Sequence, residues 1–272
     1  MSKPYRFLGT WRAGRSNWRL QALSIFSLAV AFVCLASALL VVTNLSSVRD
    51  RWSRAGRATV YLRDVIERTR KLWAKQYETV GDRLHLFSAV AEFVDASTVL
   101  YPGSYVDLTP SFVWPSVTYV DVDRRANQFF ADSSGVDELL AEHDVDPARH
   151  AVRFIHADYQ DSLELSPESF DLLISLYAGF VSEHNTDYLR VGGFLMVNSS
   201  HGDAAMASID PRYELAAVVI NSNGKYTTRT TDLDSYLLPK SDIEVTKELL
   251  HETGRGIGYT KSPFAYVFRR SA

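Results

Sequence analysis

The sequence contains a single cysteine, Cys34, among its 272 residues. One cysteine excludes an intramolecular disulfide, and it also excludes the paired thiolates of a common structural zinc site. The histidines do not supply a metal site instead, because His143, His150 and His156 are not spaced as metal ligands on one face and His201 stands alone. We therefore expect no metal site.

An excess of positive charge is also lacking. The formal net charge is −3, and the basic residues concentrate before position 85, so that the rest of the chain is more acidic. A chain without a basic field over its main domain does not favour nucleic acid as a partner. The basic cluster from Arg49 to Arg70 is more typical of a segment that flanks a membrane surface.

Long apolar runs are absent with one exception, the 21 uncharged residues 22–42, ALSIFSLAVAFVCLASALLVV. A helix of this length spans about 30 Å, the thickness of a bilayer's hydrocarbon core. The run therefore predicts one transmembrane helix, since the apolar core of a secretory signal is usually only about 7–15 residues long. The later run 172–181 has ten residues and is too short to cross a bilayer.

Charge leaves the orientation of this helix open, because basic residues are almost equally frequent on its two sides. Those before it are Lys3, Arg6, Arg12, Arg15 and Arg19, and those after it are Arg49, Arg51, Arg54 and Arg57. We expect a single-pass protein of the bacterial inner membrane. Its soluble domain would face the cytoplasm if it is an enzyme that uses a cytosolic cofactor.

Residues 11–64 resemble the N-terminus of the permease-like cell-division protein FtsX, through the apolar run and the segment RATVYLRD that follows it. The resemblance implies a lipid-bilayer anchor with a cytoplasmic N-terminus, and partners among cell-division membrane proteins. This chain departs from that family because it has no second run of comparable length. We therefore divide it into an anchor segment, 1–64, and a soluble domain, 65–272.

The soluble domain alternates short apolar runs with polar-apolar stretches of helical period after an initial helical region, 60–94, that Gly81 interrupts. This alternation predicts an α/β fold with a doubly wound, mostly parallel Rossmann-like sheet. Asn223-Gly224 predicts an antiparallel hairpin near the C-terminus. A helix over 241–252 and a last strand over 264–270 follow. The earlier predicted strands are 97–101, 116–122, 152–158, 170–176 and 192–199.

The ligand of such a sheet binds beyond the carboxyl ends of its strands. The first strand ends at Tyr101, followed by Gly103 and Ser104, and the second ends at Asp121, 18 residues after Gly103. A carboxylate at this distance commonly accepts hydrogen bonds from the two hydroxyls of a ribose. Asp158 ends the third strand, where it could meet an adenine amino group. The alternatives are a solvated strand-end acid for Asp121 and a loop or helix-cap role for Asp158.

The ordered segments TVLYPGSYVD, YVDVD, FIHAD, FDLLISLYAGF and LRVGGFLMV resemble the class I S-adenosylmethionine-dependent methyltransferases over about residues 70–270. The resemblance implies S-adenosylmethionine as cofactor, a small-molecule substrate, and cofactor contacts from Tyr101, Gly103, Ser104, Asp121 and Asp158. The first segment departs from the family's three closely spaced glycines. It has Gly103 alone, and a tyrosine at 105 stands where a glycine is expected, which would narrow the pocket.

The sequence does not identify a catalytic residue, because methyl transfer depends mainly on proximity and in-line geometry. Tyr177 lies in the usual region for substrate contacts, and His184 is either a base or a surface loop histidine. The glycines from Gly254 to Gly258 follow a helix, so they predict a helix end and a turn. Two other functions stay open: a non-catalytic module of the same fold, and a truncated or fused FtsX-type membrane protein.

Overall fold

The computed structural model describes residues 11–81 and 83–272, without the side chains at 11–22, 38, 41–42, 44–62 and 80. The chain divides into two compact units, 1–63 and 64–272. The helices are α1 (Trp11–Val80), α2 (Leu84–Ala91), α3 (Arg124–Phe130), α4 (Ser133–Glu142), α5 (Val181–Asn185), α6 (Asp203–Ile209) and α7 (Lys247–Thr253). The strands are β1 (Thr98–Pro102), β2 (Ser116–Asp121), β3 (Ala151–His156), β4 (Phe170–Ser175), β5 (Leu189–Val197), β6 (Tyr213–Ser222), β7 (Lys225–Arg229) and β8 (Ala265–Arg270).

In the first unit, no helix among the described residues is apolar over enough of its length to cross a membrane. Part of the transmembrane prediction for 22–42 lies outside the described residues, since the side chains at 22, 38, 41 and 42 are among those not described. The described part of this segment is helical, and its large apolar side chains are exposed. They are Leu23, Ile25, Phe26, Leu28, Val30, Phe32, Val33, Leu35, Leu39 and Leu40.

All eight strands of the second unit form one sheet in the order β3-β2-β1-β4-β5-β8-β6-β7. The five strands β3, β2, β1, β4 and β5 are parallel to one another, and β8 is antiparallel to both β5 and β6. The predicted α/β class with a mostly parallel, Rossmann-like sheet is confirmed. The hairpin of β6 and β7 at Asn223-Gly224 is confirmed as well, although β8 inserts between it and the parallel strands.

Two buried clusters cover the two faces of the sheet. One contains Trp73 near the end of α1, Phe87 of α2 and Leu140 of α4. The other contains Ala205 of α6 and Leu250 of α7. Helices on both faces are what a doubly wound sheet requires, because each face must be removed from water.

Two parallel connections depart from the doubly wound prediction, because each lacks an α-helix. Residues 103–115 join β1 to β2 with only a 3-10 turn, Thr109–Phe112, and residues 157–169 join β3 to β4 without any helix. The last turns of α1 pack beside the first connection, where the rings of Trp73 and Phe112 meet edge to face at 5.7 Å. Apolar surface that a connecting helix would bury is thus covered by an N-terminal helix.

The predicted helix boundaries hold at one place and differ at another. The interruption predicted at Gly81 is confirmed, since α1 ends at Val80 and α2 begins at Leu84. The helix predicted over 241–252 begins only at Lys247, because the hydroxyl of Thr246 accepts a hydrogen bond from the Leu249 amide and so caps the helix there.

Candidate functional site

The carboxyl ends of the parallel strands border two adjoining cavities in the second unit. The arginine cavity, about 450 Å³, is lined among others by Arg83, Tyr101, Ser104, Tyr105 and Phe264. The acidic cavity, about 350 Å³, is lined among others by Asp121, Val122, Asp158, Tyr159 and Ala178. Gly103 and Tyr177 line both cavities. Their position agrees with the general rule for ligand sites of open α/β sheets.

Gly103 makes the turn at the end of β1. Its φ is +65°, and a Cβ at this position would lie 2.3 Å from the Cβ of Ala178. Its amide donates to the Val120 carbonyl at 2.8 Å. Only glycine fits this backbone without displacing the loop after β4, so the glycine sets the close approach of the two loops that border the cavities.

Tyr105 occupies the position where the methyltransferase resemblance leads one to expect a glycine. Its φ of +49° is a conformation that favours glycine. The guanidinium carbon of Arg125 lies 5.1 Å from the centre of its ring, and Tyr105 borders the arginine cavity. Tyr105 is not among the residues that line the acidic cavity, so it does not narrow that cavity.

Asp121 is the best-held carboxylate of the acidic cavity. Its Oδ2 accepts the Tyr105 amide at 2.7 Å, and its Oδ1 accepts the Asp123 amide at 2.7 Å. Each carboxylate oxygen can accept about two hydrogen bonds, so these contacts leave one acceptor position on each oxygen. A carboxylate fixed in this way can bind two neighbouring hydroxyl groups.

Asp158 lies in the same cavity, at the start of the loop after β3. Its side chain is exposed, and its Oδ1 accepts the Gln160 amide at 2.9 Å in a tight turn. The neighbouring Tyr159 donates its hydroxyl proton to the Ala178 carbonyl at 2.8 Å, and burial raises the pKa of this tyrosine. The loop that carries Asp158 is thereby tied to the loop after β4.

Tyr101 and Ser104 line the arginine cavity, but both are buried. Tyr101 accepts a hydrogen bond from Arg83 at 3.0 Å and donates one to Asp107 at 3.3 Å. Burial raises the pKa of Tyr101 far above its ordinary value, so this hydroxyl does not act as a base near neutral pH. The hydroxyl of Ser104 contacts the Tyr105 carbonyl at 3.4 Å. Direct cofactor contacts from Tyr101 and Ser104 stay a prediction.

The ion pair of Arg83 and Asp107 is the part of this site that sequence reasoning missed. The two side chains are 8% and 1% exposed, and Arg83 Nη1 lies 2.6 Å from Asp107 Oδ2. Burial by itself lowers the pKa of Arg83, but Tyr101 and Asp107 together raise it above its ordinary value. Two signals were present: a charged residue between two helical stretches, and an acid inside the segment after β1.

Tyr177 and His184 have different surroundings. Tyr177 is 52% exposed, has φ +63°, and lies with its ring centre 5.7 Å from the Arg83 guanidinium carbon. It is well placed to contact ligands of either cavity. His184 is exposed and contacts Tyr159 edge to face at 6.1 Å. It is not among the lining residues of the two cavities, which favours a surface residue over a base, although it lies in α5 and not in a loop as predicted.

The other histidines and the glycine string fit structural roles. His143 stacks on Phe112 at 4.0 Å, and the Nε2 of His156 lies 3.0 Å from the Val122 carbonyl oxygen. The described residues contain no group of three His, Cys, Asp or Glu that could hold a metal ion. Gly254 ends α7 in the left-handed conformation, as the string from 254 to 258 predicted.

A buried carboxylate, Asp203, fixes the loop after β4. It accepts hydrogen bonds from the Ser175 hydroxyl at the end of β4, and from the hydroxyl and amide of Ser182 in α5, at 2.5 and 3.1 Å. Burial raises the pKa of Asp203 to about 6, although the serine hydrogen bonds oppose the shift. The segment held between these two serines carries Tyr177.

No family model matches the chain, and no curated protein matches it either. Among solved structures it is similar to the O-methyltransferase TomG from Streptomyces achromogenes in complex with SAM (13% identity, 60% of this chain and 86% of that one, TM-score 0.37). It is also similar to the 1,6-didemethyltoxoflavin-N1-methyltransferase of Burkholderia thailandensis (14%, 79% and 89%, 0.36). A third is an rRNA methylase from Streptococcus thermophilus (13%, 71% and 99%, 0.38).

Identities and TM-scores at this level do not assign the chain to a family. The resemblance of residues 11–64 to FtsX receives no support from the comparisons and remains a prediction.

Proposed function

We propose that the domain 65–272 is an S-adenosylmethionine-dependent methyltransferase-like domain that acts on a small molecule. The observation that carries this proposal is Asp121. Its carboxylate is fixed by two backbone amides at the end of β2, it faces a cavity beside Gly103, and it retains an acceptor position on each oxygen. This donor–acceptor pattern fits a ribose.

The two aspartates of the acidic cavity would bind the nucleoside part of the cofactor. Asp121 would hold the ribose hydroxyls, and Asp158 would meet the adenine amino group. When bound, the cofactor supplies an electrophilic methyl group on a positively charged sulfur. The exposed ring of Tyr177 borders both cavities, so its electron-rich face is suited to stabilise a cation there.

The arginine cavity also restricts the acceptor. No carboxylate or histidine is among its described lining residues, so no general base stands ready there to remove a proton. We infer an acceptor that is already nucleophilic near neutral pH, because positioning alone then suffices for transfer.

A non-catalytic module of the same fold is the second candidate. The observation that favours it is the missing helix after β1, together with Tyr105 at a glycine position. The first turn of such sheets usually presents a helix N-terminus to a ligand. The two candidates differ in whether the acidic cavity binds a nucleoside.

Calorimetric titration with S-adenosylhomocysteine distinguishes them. It uses the full chain in a non-ionic detergent. We expect binding by the native chain and at least about tenfold weaker binding by Asp121→Asn. The variant loses the negative charge and replaces one of the two carboxylate oxygens of this residue by an NH2 group, which cannot accept a hydrogen bond. The matched control is Asp123→Asn, whose side chain caps α3 and is expected to leave affinity unchanged. Absence of binding at millimolar nucleoside would refute the methyltransferase proposal.

We also propose that residues 22–42 attach the chain to a bilayer, with the enzymatic domain on the cytoplasmic side. The apolar run and the exposed apolar side chains of its described part support attachment. Partners among cell-division proteins rest only on the resemblance of residues 11–64. Protease treatment of sealed inner-membrane vesicles tests the orientation, since a domain protected on the extracytoplasmic side contradicts this proposal.

A further inference from the structure

The first connection of the sheet lacks the group that usually meets an anion at this place. In doubly wound folds the turn after the first strand leads into a helix whose N-terminal amides attract negative charge. Here residues 103–115 contain only the 3-10 turn Thr109–Phe112. A buried positive group beside this connection is the guanidinium of Arg83, which comes from the segment between α1 and α2.

Asp107 holds this guanidinium in place, and its own oxygens are already saturated. Its Oδ2 accepts Arg83 Nη1 at 2.6 Å and the Tyr101 hydroxyl at 3.3 Å. Its Oδ1 accepts the amide and the hydroxyl of Thr109 at 3.2 and 2.7 Å. Four donors for two oxygens satisfy this carboxylate, so its charge does not depend on Arg83 alone.

Arg83 keeps donors in reserve. Its Nη1 makes the hydrogen bonds to Tyr101 and Asp107, and among the described residues no hydrogen bond is made by its Nη2 or Nε. Those atoms carry three of the five N–H groups of a guanidinium, in the planar arrangement that matches a carboxylate. The side chain is buried yet borders a cavity of about 450 Å³.

The rest of the arginine cavity suits an anion. No acidic side chain is among its described lining residues, and the side chains of Gln76 and Thr79 add polar groups on the α1 side. The aromatic rings of Tyr177 and Phe264 supply apolar walls. A rigid cation in such a setting loses little entropy when it forms charge-assisted hydrogen bonds.

We propose that Arg83 binds a carboxylate group in the arginine cavity and so takes the place of the missing helix N-terminus. This inference rests on the proposed function in that the ligand is one of the reaction's two small molecules. The carboxylate belongs either to the amino-acid part of the cofactor or to the methyl acceptor.

The test uses the full chain in non-ionic detergent and compares Arg83→Lys with the native chain. Lysine keeps a positive charge for Asp107 but has three donors instead of five and no planar fork, so the fold is retained while two of the three spare donors and their planar arrangement are lost. Arg125→Lys is the matched control, because that arginine lies over Tyr105 at the surface. Calorimetry is performed with S-adenosylhomocysteine, with 5′-methylthioadenosine, which lacks the amino-acid part, and with benzoate.

A carboxylate from the cofactor predicts that Arg83→Lys weakens S-adenosylhomocysteine binding about tenfold or more and leaves 5′-methylthioadenosine unchanged. A carboxylate from the acceptor predicts unchanged affinity for both nucleosides, with benzoate binding reduced by the same factor. Either result supports the proposal, provided that Arg125→Lys has no such effect. Equal weakening of all three probes, or no effect on any of them, overturns it.

The two proposals fail in different ways. If the native chain binds neither nucleoside, the proposed function fails. Benzoate binding that depends on Arg83 would still support the carboxylate site in that case.

Discussion

Replacing the buried carboxylate of Asp203 by an amide should change how stability depends on pH. Asp203 is 1% exposed, and burial raises its pKa from 3.8 to about 6. Between pH 3.8 and about pH 6, Asp203 therefore keeps a proton in the folded protein that it has already lost in the unfolded chain. The free energy of unfolding falls as pH rises through this interval, by about 3 kcal/mol at 1.36 kcal/mol for each pH unit.

The variant Asp203→Asn cannot ionise, so this loss is absent. Its stability relative to the native chain should increase by about 2 kcal/mol between pH 4 and pH 7, because part of the change occurs below pH 4. The assay is urea unfolding of the full chain in non-ionic detergent, followed by tryptophan fluorescence at several pH values in that range. A difference between the two proteins that does not change with pH would refute the argument.

Asp210→Asn is the control at the other end of α6. Burial raises the pKa of Asp210, but hydrogen bonds from Arg212 outweigh it and lower the pKa overall. The stability that Asp210 contributes is therefore lost as pH falls, so the relative stability of Asp210→Asn should change in the opposite direction.

Three further predictions concern stability and are measured by thermal unfolding. Gly103→Ala should cost more than Gly254→Ala, because both have positive φ but only the first would place a Cβ against a neighbour; equal costs would contradict this. Asp171 accepts two backbone amides and Arg190, which together lower its pKa to about 2 in spite of burial, so Asp171→Asn should destabilise the protein less at pH 3 than at pH 6. Trp73→Ala should cost about 3–5 kcal/mol, because this side chain is 8% exposed in the core, and no loss would show that α1 is dispensable for packing.

Much of the sheet was predictable because buried parallel strands leave a simple trace in sequence. Apolar runs located the strands, and Asn223-Gly224 located the hairpin. Asp121 was predicted at the end of the second strand, and β2 does end there. Asp158 was predicted at the end of the third strand but lies in the loop after β3, which ends at His156. Both residues border one cavity. These features depend on local periodicity and on the rule that parallel strands end at one edge.

The remaining features depend on contacts that periodicity does not report. Arg83 and Asp107 are 24 positions apart and meet through loops. Asp203 gathers two serines that lie 28 and 21 positions before it. The insertion of β8 beside β5 requires a tertiary choice of neighbours, which a strand pattern leaves open.

The absence of a helix after β1 connects these observations. Without that helix, the sheet face beside the connection has to be covered by another element, and Trp73 of α1 packs on it. The segment that follows α1 then brings Arg83 to the turn after β1, where its charge is held by Asp107. The segment that contains the end of α1 and the residues after it thus does two things: it covers the sheet face, and it supplies a cation at the ligand edge. Both follow from the absence of the helix after β1. A charge placed by a side chain can also be directed at one ligand group, whereas a helix end presents several amides at once.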